Sequence, residues 1–343
     1  MDHLTKSRLE SLLQAFPLQT IGLIGDLFLD RYFHIDPELD EVSIETDLTA
    51  YQVTEVRNQP GALGTVMSNL AALGVGRLIP FTVIGDDGLG RDLELAMKEL
   101  PVSHEGIIRD AARLTPTYIK PLRANSDGTF RELNRLDIRT RTPLRDATLE
   151  RLIEQIESAW DALDGWIVLD QIDQADCGVV HSRVRNVVES LSRRDVRRVV
   201  VIDSRSQLGA FRAGMLKGNE REFRLAAGAA VSDVHDAVRV LADRVNRTAF
   251  CTWGASGILV GHPGGGVAHV EGVSVEGPID IVGAGDSATA ALTASSIAGA
   301  GPEEAAALAN LVASITVQQL GTTGTATPEQ VLARYDELTG TTN

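Results

Sequence analysis

The sequence predicts an α/β fold, a central and mostly parallel sheet flanked by helices on both faces, with a small β lid. Three observations predict it. From Arg145 onward, helical periodicity alternates with short apolar runs, the pattern of strands buried on both faces. Two segments, about 31–57 and 113–140, break that alternation and read as extra β structure, placed together as a lid over the carboxyl edge of the sheet. Hydrophobic residues make up 43% of the 343 residues and aromatics 4%, so a sizeable core rich in Ala, Val and Leu is available to helices packed closely on a sheet. No repeat or linker divides the chain, and a single domain over 1–343 is expected.

Taken in order, Leu4, Leu9, Leu12, Leu13 and Phe16 recur at near-helical spacing among Lys6, Arg8 and Glu10. This describes an amphipathic helix, not the continuous apolar run of a signal peptide. Thr20–Gly25 (TIGLIG) reads as a buried strand ending in Gly-Asp, and Ala50–Val56 as a short β piece. Ala62–Leu73 is expected to be helical, Leu78–Ile84 a strand and Leu89–Leu100 a helix. Thr115–Arg123 and Thr129–Asp137 form a hairpin around the turn residues Asn125-Ser126-Asp127-Gly128. Helix Ala147–Leu163 precedes strand Trp166–Asp170, helix Val179–Arg193 precedes strand Arg198–Asp203, and helix Val234–Arg244 precedes strand Thr248–Thr252. The C-terminal part is helical over Asp286–Ala298, Pro302–Gln319 and Pro328–Leu338, the last opened by a Thr327/Gln330 capping box with Pro328 in the first turn.

Charge and composition exclude several functions. With 32 basic and 47 acidic residues the net charge is −15, a field that repels nucleic-acid phosphates and anionic membranes. No stretch approaches an uncharged transmembrane span. Cys177 and Cys251 lie far apart with no metal-ligand spacing, which fits reduced thiols in a cytoplasmic protein, and the seven histidines show no ligand pattern. Gly22 and Gly25 do not make the G-x-G-x-x-G turn of a dinucleotide-binding enzyme.

The segment that carries chemistry is Glu276–Ala300. A β-like run ends at Val282, Gly283-Ala284-Gly285 follows, and Asp286 opens a helix of small residues. Glycines let backbone N–H groups approach a ligand, and a helix N-terminus favours negative charge. A carboxylate there serves equally well as a helix cap or as a base, and the motif alone leaves both open. Phosphoryl transfer needs anion donors and a base side by side, and four residues supply them: the amides of Gly283, Ala284 and Gly285, and Asp286. The Walker signature and the protein-kinase His-Arg-Asp set are both missing from the sequence.

Asp280-Ile281-Val282-Gly283-Ala284-Gly285-Asp286-Ser287 resembles the D-T-x-G-A-G-D-[TS] signature of the PfkB carbohydrate kinases, which have the three-layer ribokinase-like fold. Further matches run in the family's order along nearly the whole chain. Gly25-Asp26 with Asp30 resembles its first-strand element, and Pro60–Ala71 its Gly-rich substrate motif. Ile84–Gly90 resembles its G-x-D-x-x-G turn, Asn219–Glu222 its N-x-x-E motif, and Thr252–Gly257 its T-x-G-x-x-G loop. Within the family the chain is most similar to the kinase half of the bifunctional heptose-7-phosphate kinase/heptose-1-phosphate adenylyltransferases. Gly25–Tyr32, Asn134–Asp137 and Leu320–Thr322 carry that similarity, and a stand-alone kinase unit is expected.

The resemblance implies an ATP-dependent sugar or sugar-phosphate kinase with Asp286 as base and Gly283, Ala284 and Gly285 as anion hole. It implies sugar binding by Asp26, Asp30, Gly61, Thr65 and Asn69, and nucleotide binding by Asn219, Thr252, Gly254, Gly257 and Asn310. Mg²⁺ is expected at Glu222 and Asn219 through water, with a monovalent cation as a further candidate cofactor and a homodimer through the lid as a candidate assembly. Ala62, Thr65 and Val282 depart from the family's Gly, Asn and Thr. They imply a changed substrate, or, as the alternative, a non-catalytic sugar/nucleotide-binding member. Taken alone, Asn219 and Glu222 read as an ordinary helix start, and in line with the other motifs as organisers of metal and phosphate; Trp253 reads as a stacking platform or core cover.

Overall fold

Apolar alternation along the strands sorts the side chains into two cores, one on each face of the sheet. The computed structural model describes residues 3–231 and 233–340. Helix α1 (Lys6–Ala15) buries Leu9, Leu12 and Leu13. Strand β1 (Thr20–Gly25) directs Ile21 and Leu23 into one core and Ile24 into the other. One residue later β2 (Leu27–Ile35) begins, so a second sheet grows directly from the carboxyl end of β1. Strands β3 (Glu41–Val42) and β4 (Thr49–Ala50) pair with each other, and β5 (Val53–Ala62) runs into helix α2 (Leu63–Ala72). Next come β6 (Arg77–Gly85), α3 (Gly88–Ala96), β7 (Ile107–Asp110), β8 (Thr117–Ala124), β9 (Phe130–Glu132) and β10 (Leu136–Ile138).

The remaining chain alternates. Helix α4 (Asp146–Ala159) leads to β11 (Gly165–Asp170), α5 (Ser182–Arg194) to β12 (Val199–Ser204), and β13 (Met215–Asn219) to α6 (Glu220–Ala227). Helix α7 (Val234–Val245) leads to β14 (Ala249–Thr252), then β15 (Gly257–Gly261) and β16 (Val267–Glu271). Helices α8 (Ala284–Ile297), α9 (Pro302–Thr316) and α10 (Pro328–Thr339) close the chain, the last with the expected Thr327/Gln330 capping box.

Among the described residues the main sheet has nine strands in the order β16-β15-β14-β13-β12-β11-β1-β6-β7, and β15 alone runs against the others, antiparallel to both β14 and β16. Helices α1, α2, α8, α9 and α10 cover one face and α4 to α7 the other, which makes three layers. In the second core Trp160 stacks on Trp166 with ring centroids 4.7 Å apart. The second sheet has the order β10-β8-β2-β5 with β9 also on β8, and it leaves Val53, Val56, Phe130 and Leu136 exposed. Among the described residues, no helix is long and apolar enough to cross a membrane.

The differences from the sequence reading have local causes. Residues 272–282 form no strand, and Ile279, Ile281 and Val282 are exposed, so the apolar run before Gly283 is a surface loop. Helix α5 starts at Ser182, not Val179: His181 is its N-cap, accepting from the Arg183 N–H at 3.0 Å, while the Val179 N–H donates to the Asp26 carboxylate at 3.0 Å. Helix α8 starts two residues before Asp286, which is its third residue. The expected hairpin after Thr115 is a three-strand arrangement, β8 pairing antiparallel with both β9 and β10.

Candidate active site

The first turn of α8 is set by the residues before it. Asp280 accepts from the Val282 N–H at 3.0 Å and the Gly321 N–H at 3.2 Å, which shapes the loop into the helix. Gly283, the N-cap, has φ +83, a conformation that disfavours a side chain, and it provides no capping oxygen. Asp286 does not cap the helix either: among the described residues its carboxylate accepts no hydrogen bond. It is half-buried, and burial pushes its pKa up to about 7. The charges of Asp203 and Asp30 push the same way, against Lys217 and Arg205. Of the three expected anion donors, the Ala284 N–H turns back to Ile281 O at 3.2 Å, so among the described residues the open donors of this turn are the N–H groups of Gly283, Gly285 and Asp286.

On the side of the second sheet, the Asp30 carboxylate lies against Gly61, where an added Cβ would come within 2.9 Å of its Cγ. Pairing of β2 with β5 creates this contact, so glycine at 61 is required by close approach. Lys120 donates to Asp30 at 3.2 Å and to the Tyr32 hydroxyl at 3.2 Å, while Arg31 pairs with Asp92, not with Asp30. Asp26 sits deeper, 2% exposed and 4.0 Å from Arg113, with one oxygen unpartnered. Burial pushes its pKa up to about 6. Thr65 and Asn69 are one turn apart on α2 and both buried; Asn69 donates to Thr65 O at 3.0 Å and its own Oδ1 has no partner. Ala62, at the start of α2, has φ 52 and ψ −111, a strained backbone for an alanine.

A cavity of about 690 Å³ is lined by Asn219, Glu220, Arg221, Arg224, Thr252, Trp253 and Gly254. Asn219 and Glu222 form a complete capping box: Asn219 accepts from the Glu222 N–H at 3.0 Å and Glu222 Oε2 from the Asn219 N–H at 2.7 Å. The ordinary helix start is therefore present, with Glu222 Oε1 left over. No group of three or more His, Cys, Asp and Glu side chains able to hold a metal occurs among the described residues. The unused Glu222 Oε1 is a single hard oxygen, a donor of the kind that suits a cation carried otherwise by phosphates and water. Trp253 donates to Glu220 at 3.1 Å between the ring edges of His235 and His269, so it is both cavity wall and cover for the core. Gly257 begins β15 with φ +101. Asn310 is buried and spends its amide on Val270 O and Glu271 O, tying α9 to the sheet edge.

Sequence reasoning missed Lys217 and Asp203, a buried ion pair 2.7 Å apart beneath α8, and Thr289, which donates to Asp203 at 2.9 Å. It missed Asp170, whose pKa burial pushes up to about 7 although the Ser204 hydroxyl donates to it at 2.7 Å. The available signal was a charge inside an apolar run, Met215-Leu216-Lys217.

A family model described as "pfkB family carbohydrate kinase" matches residues 32–330. The bifunctional protein HldE of Citrifermentans bemidjiense is 28% identical over 317 residues, 91% of this chain and 62% of that protein. HldE of Geobacter sulfurreducens is 28% identical over 315 residues, covering 90% and 61%. The chain therefore spans about three fifths of the length of these relatives. Among solved structures, phosphofructokinase-2 from Escherichia coli, in complex with substrates and products, superposes with TM-score 0.69 at 18% identity over 94% of this chain and 99% of that one. Arabidopsis thaliana ribokinase complexed with ribose and ATP gives 0.64 at 16% over 92% and 98%. These likenesses show the ribokinase-like fold.

Proposed function

The chain belongs to the pfkB family of carbohydrate kinases, and on that premise we propose that it transfers the γ-phosphoryl group of ATP to a hydroxyl of a sugar or sugar phosphate, with Asp286 as the base. The observation that carries this reading is the Asp286 carboxylate, half-buried, free of hydrogen bonds and pushed up to about 7 at the open N-terminus of α8. A carboxylate poised near neutrality is suited to taking a proton from an attacking hydroxyl.

Asp30, held over Gly61 with Lys120 beside it, orients that hydroxyl toward Asp286, whose pKa it already influences. The turn from Gly283 to Asp286 holds the transferring group with the amides other than that of Ala284, which is engaged by Ile281 O, and with the positive end of the helix. Asn219, Thr252 and Gly254 line the nucleotide cavity. Glu222 Oε1 would hold Mg²⁺ through water, and the ion supplies charge neutralisation on the phosphates when bound. The second sheet acts as a lid that excludes water during transfer. Its exposed Val53, Val56, Phe130 and Leu136 support a homodimer through the same sheet.

A phosphoryl-transfer assay over a panel of hexoses, heptoses and their phosphates tests the reading. Asp286→Asn is expected to keep nucleotide binding and lower kcat by on the order of a hundredfold to ten-thousandfold. Binding of sugar and nucleotide without transfer by the unmutated protein would establish the non-catalytic alternative instead.

A further inference from the structure

Lys217 is carried into the interior by β13 and is 4% exposed. Its Nζ donates to Asp203 Oδ2 on the neighbouring strand at 2.7 Å, and the Thr289 hydroxyl of α8 donates to the same oxygen at 2.9 Å. That hydroxyl also lies 3.0 Å from Gly285 O. A Cβ built on Gly285 would sit 3.2 Å from Lys217 Nζ, and nothing else outside its own turn lies within 4 Å. Gly285 does not have a positive φ. An added side chain there would therefore press on the ammonium, a contact set by packing and not by backbone conformation. One N–H of the ammonium is engaged by Asp203, which leaves two more donors on the group beside Gly285.

We propose that Lys217 is a positioning residue of the transfer centre: anchored to Asp203 and lodged against Gly285, its ammonium places a fixed positive charge behind the first turn of α8. There it faces the Asp286 carboxylate and any anionic group bound by that turn. The proposal rests on the phosphoryl-transfer reading of the same turn. The charged groups that act on Asp286 through space are Asp203 from β12, Lys217 from β13, Arg205 after β12 and Asp30 from β2, and Glu222 of α6 acts on Lys217. Lys217 is the buried cation of this set, since Arg205 is exposed. A buried ion pair is weak as a source of stability, because desolvation offsets its attraction, so an apolar pair would serve the core equally well. A charge whose positive end abuts a phosphate-binding turn acts where desolvated charges are strongest.

The test is a double-mutant cycle on the intact protein, read as kcat and KM for ATP and sugar. Lys217→Ala is expected to lower kcat by on the order of a hundredfold while KM for ATP changes less than about threefold. Ethylammonium in the assay restores at least about tenfold of the loss, and tetraethylammonium, too large for the site, does not. Gly285→Ala alone presses on Nζ and lowers kcat about tenfold, but lowers it less than about twofold in the Lys217→Ala background. If Lys217→Ala does not fold, Lys217→Met, which keeps the volume of the stem, carries the kcat and double-mutant comparisons; the amine arm belongs to Lys217→Ala alone, because the Met stem fills the space the amine would take. Additive effects in the cycle, or a loss confined to thermal stability with no amine rescue, overturn the role of Lys217 while leaving an active kinase. An unmutated protein that phosphorylates no sugar overturns the reading beneath it, and the proposal with it.

Discussion

Asp286 ties the pH dependence of activity to that of stability, and the two run in opposite directions. Burial, Asp203 and Asp30 push its pKa from 3.8 to about 7 in the folded chain, against the pull of Lys217 and Arg205. A base works only when ionised. With a value of about 7, roughly a tenth of the molecules carry the carboxylate at pH 6 and roughly nine tenths at pH 8. kcat/KM should therefore rise about tenfold between those pH values, whereas a carboxylate at 3.8 would give a flat profile there. The sign for stability follows from proton binding. A raised folded pKa means that the folded state holds the proton more tightly, so stability is lost as pH rises from about 4 through 7. The distance from 3.8 to about 7 corresponds to roughly 4 kcal/mol if unscreened, and to on the order of 2 kcal/mol in a half-buried site. Asp286→Asn removes this cost. It should unfold at higher temperature than the unmutated chain at pH 8, with the advantage fading towards pH 4, while transfer is nearly abolished. Thermal melts at four pH values and initial rates from pH 5.5 to 9 check both halves. A flat rate profile above pH 5.5, together with equal melting of the two proteins at pH 8, would refute the reasoning.

Substitutions at two other positions have expected outcomes. Ala62→Gly relieves the φ 52, ψ −111 backbone at the start of α2 and should stabilise the fold by about 1 kcal/mol, read as a rise in denaturation midpoint at unchanged slope. An unchanged or lowered midpoint would show that the neighbouring packing, not the torsion, sets the energy. Glu222→Gln keeps a side-chain acceptor for the Asn219 N–H, so thermal stability should hold while the Mg²⁺ needed for half-maximal rate rises; Glu222→Ala should lose both, with about 1 kcal/mol of cap. Identical Mg²⁺ titrations for Glu222→Gln and the unmutated chain would leave Glu222 as a cap alone.

The main sheet was legible because its central strands are buried on both faces and read as uninterrupted apolar runs, as in Thr20–Gly25 and Gly165–Asp170. β13 was not, because Met215–Asn219 carries a lysine and a glycine where a strand pattern asks for apolar residues. That local violation coincides with the ion pair under α8, as expected when a charge is retained for its position and not for packing. The antiparallel pair β15 and β16 was signalled by the turn His262-Pro263-Gly264-Gly265-Gly266 between two apolar runs and was passed over. At the candidate site the residue types were legible but their partners were not. An acidic residue in a first helical turn is the same letter whether it caps or stands free, and only the geometry shows Asp286 without a capping bond. The pattern N-x-x-E has the same ambiguity, and there the geometry shows the cap fully formed.

A chain of net charge −15 that is to hold a nucleotide must set local donors against that field, and around the first turn of α8 few cations are gathered to do it. Many arginines are committed to carboxylates elsewhere, as in Arg8 with Glu304 and Arg123 with Asp40. Around the first turn of α8 the arrangement differs. Lys217 is held by Asp203 but abuts Gly285, and the Arg205 side chain has neither an ion pair nor a hydrogen bond among the described residues. The helix N-terminus adds its own partial charge. The three acids that act on this turn, Asp286, Asp203 and Asp30, outnumber the two cations Lys217 and Arg205, so the site is not a positive patch. Its capacity for anions would come instead from donors fixed in place and shielded from water, where each is worth more than on an open surface. The burial that strengthens those donors is the burial that raises the pKa of Asp286, so a more exposed site would lose the poised base and the anion donors together.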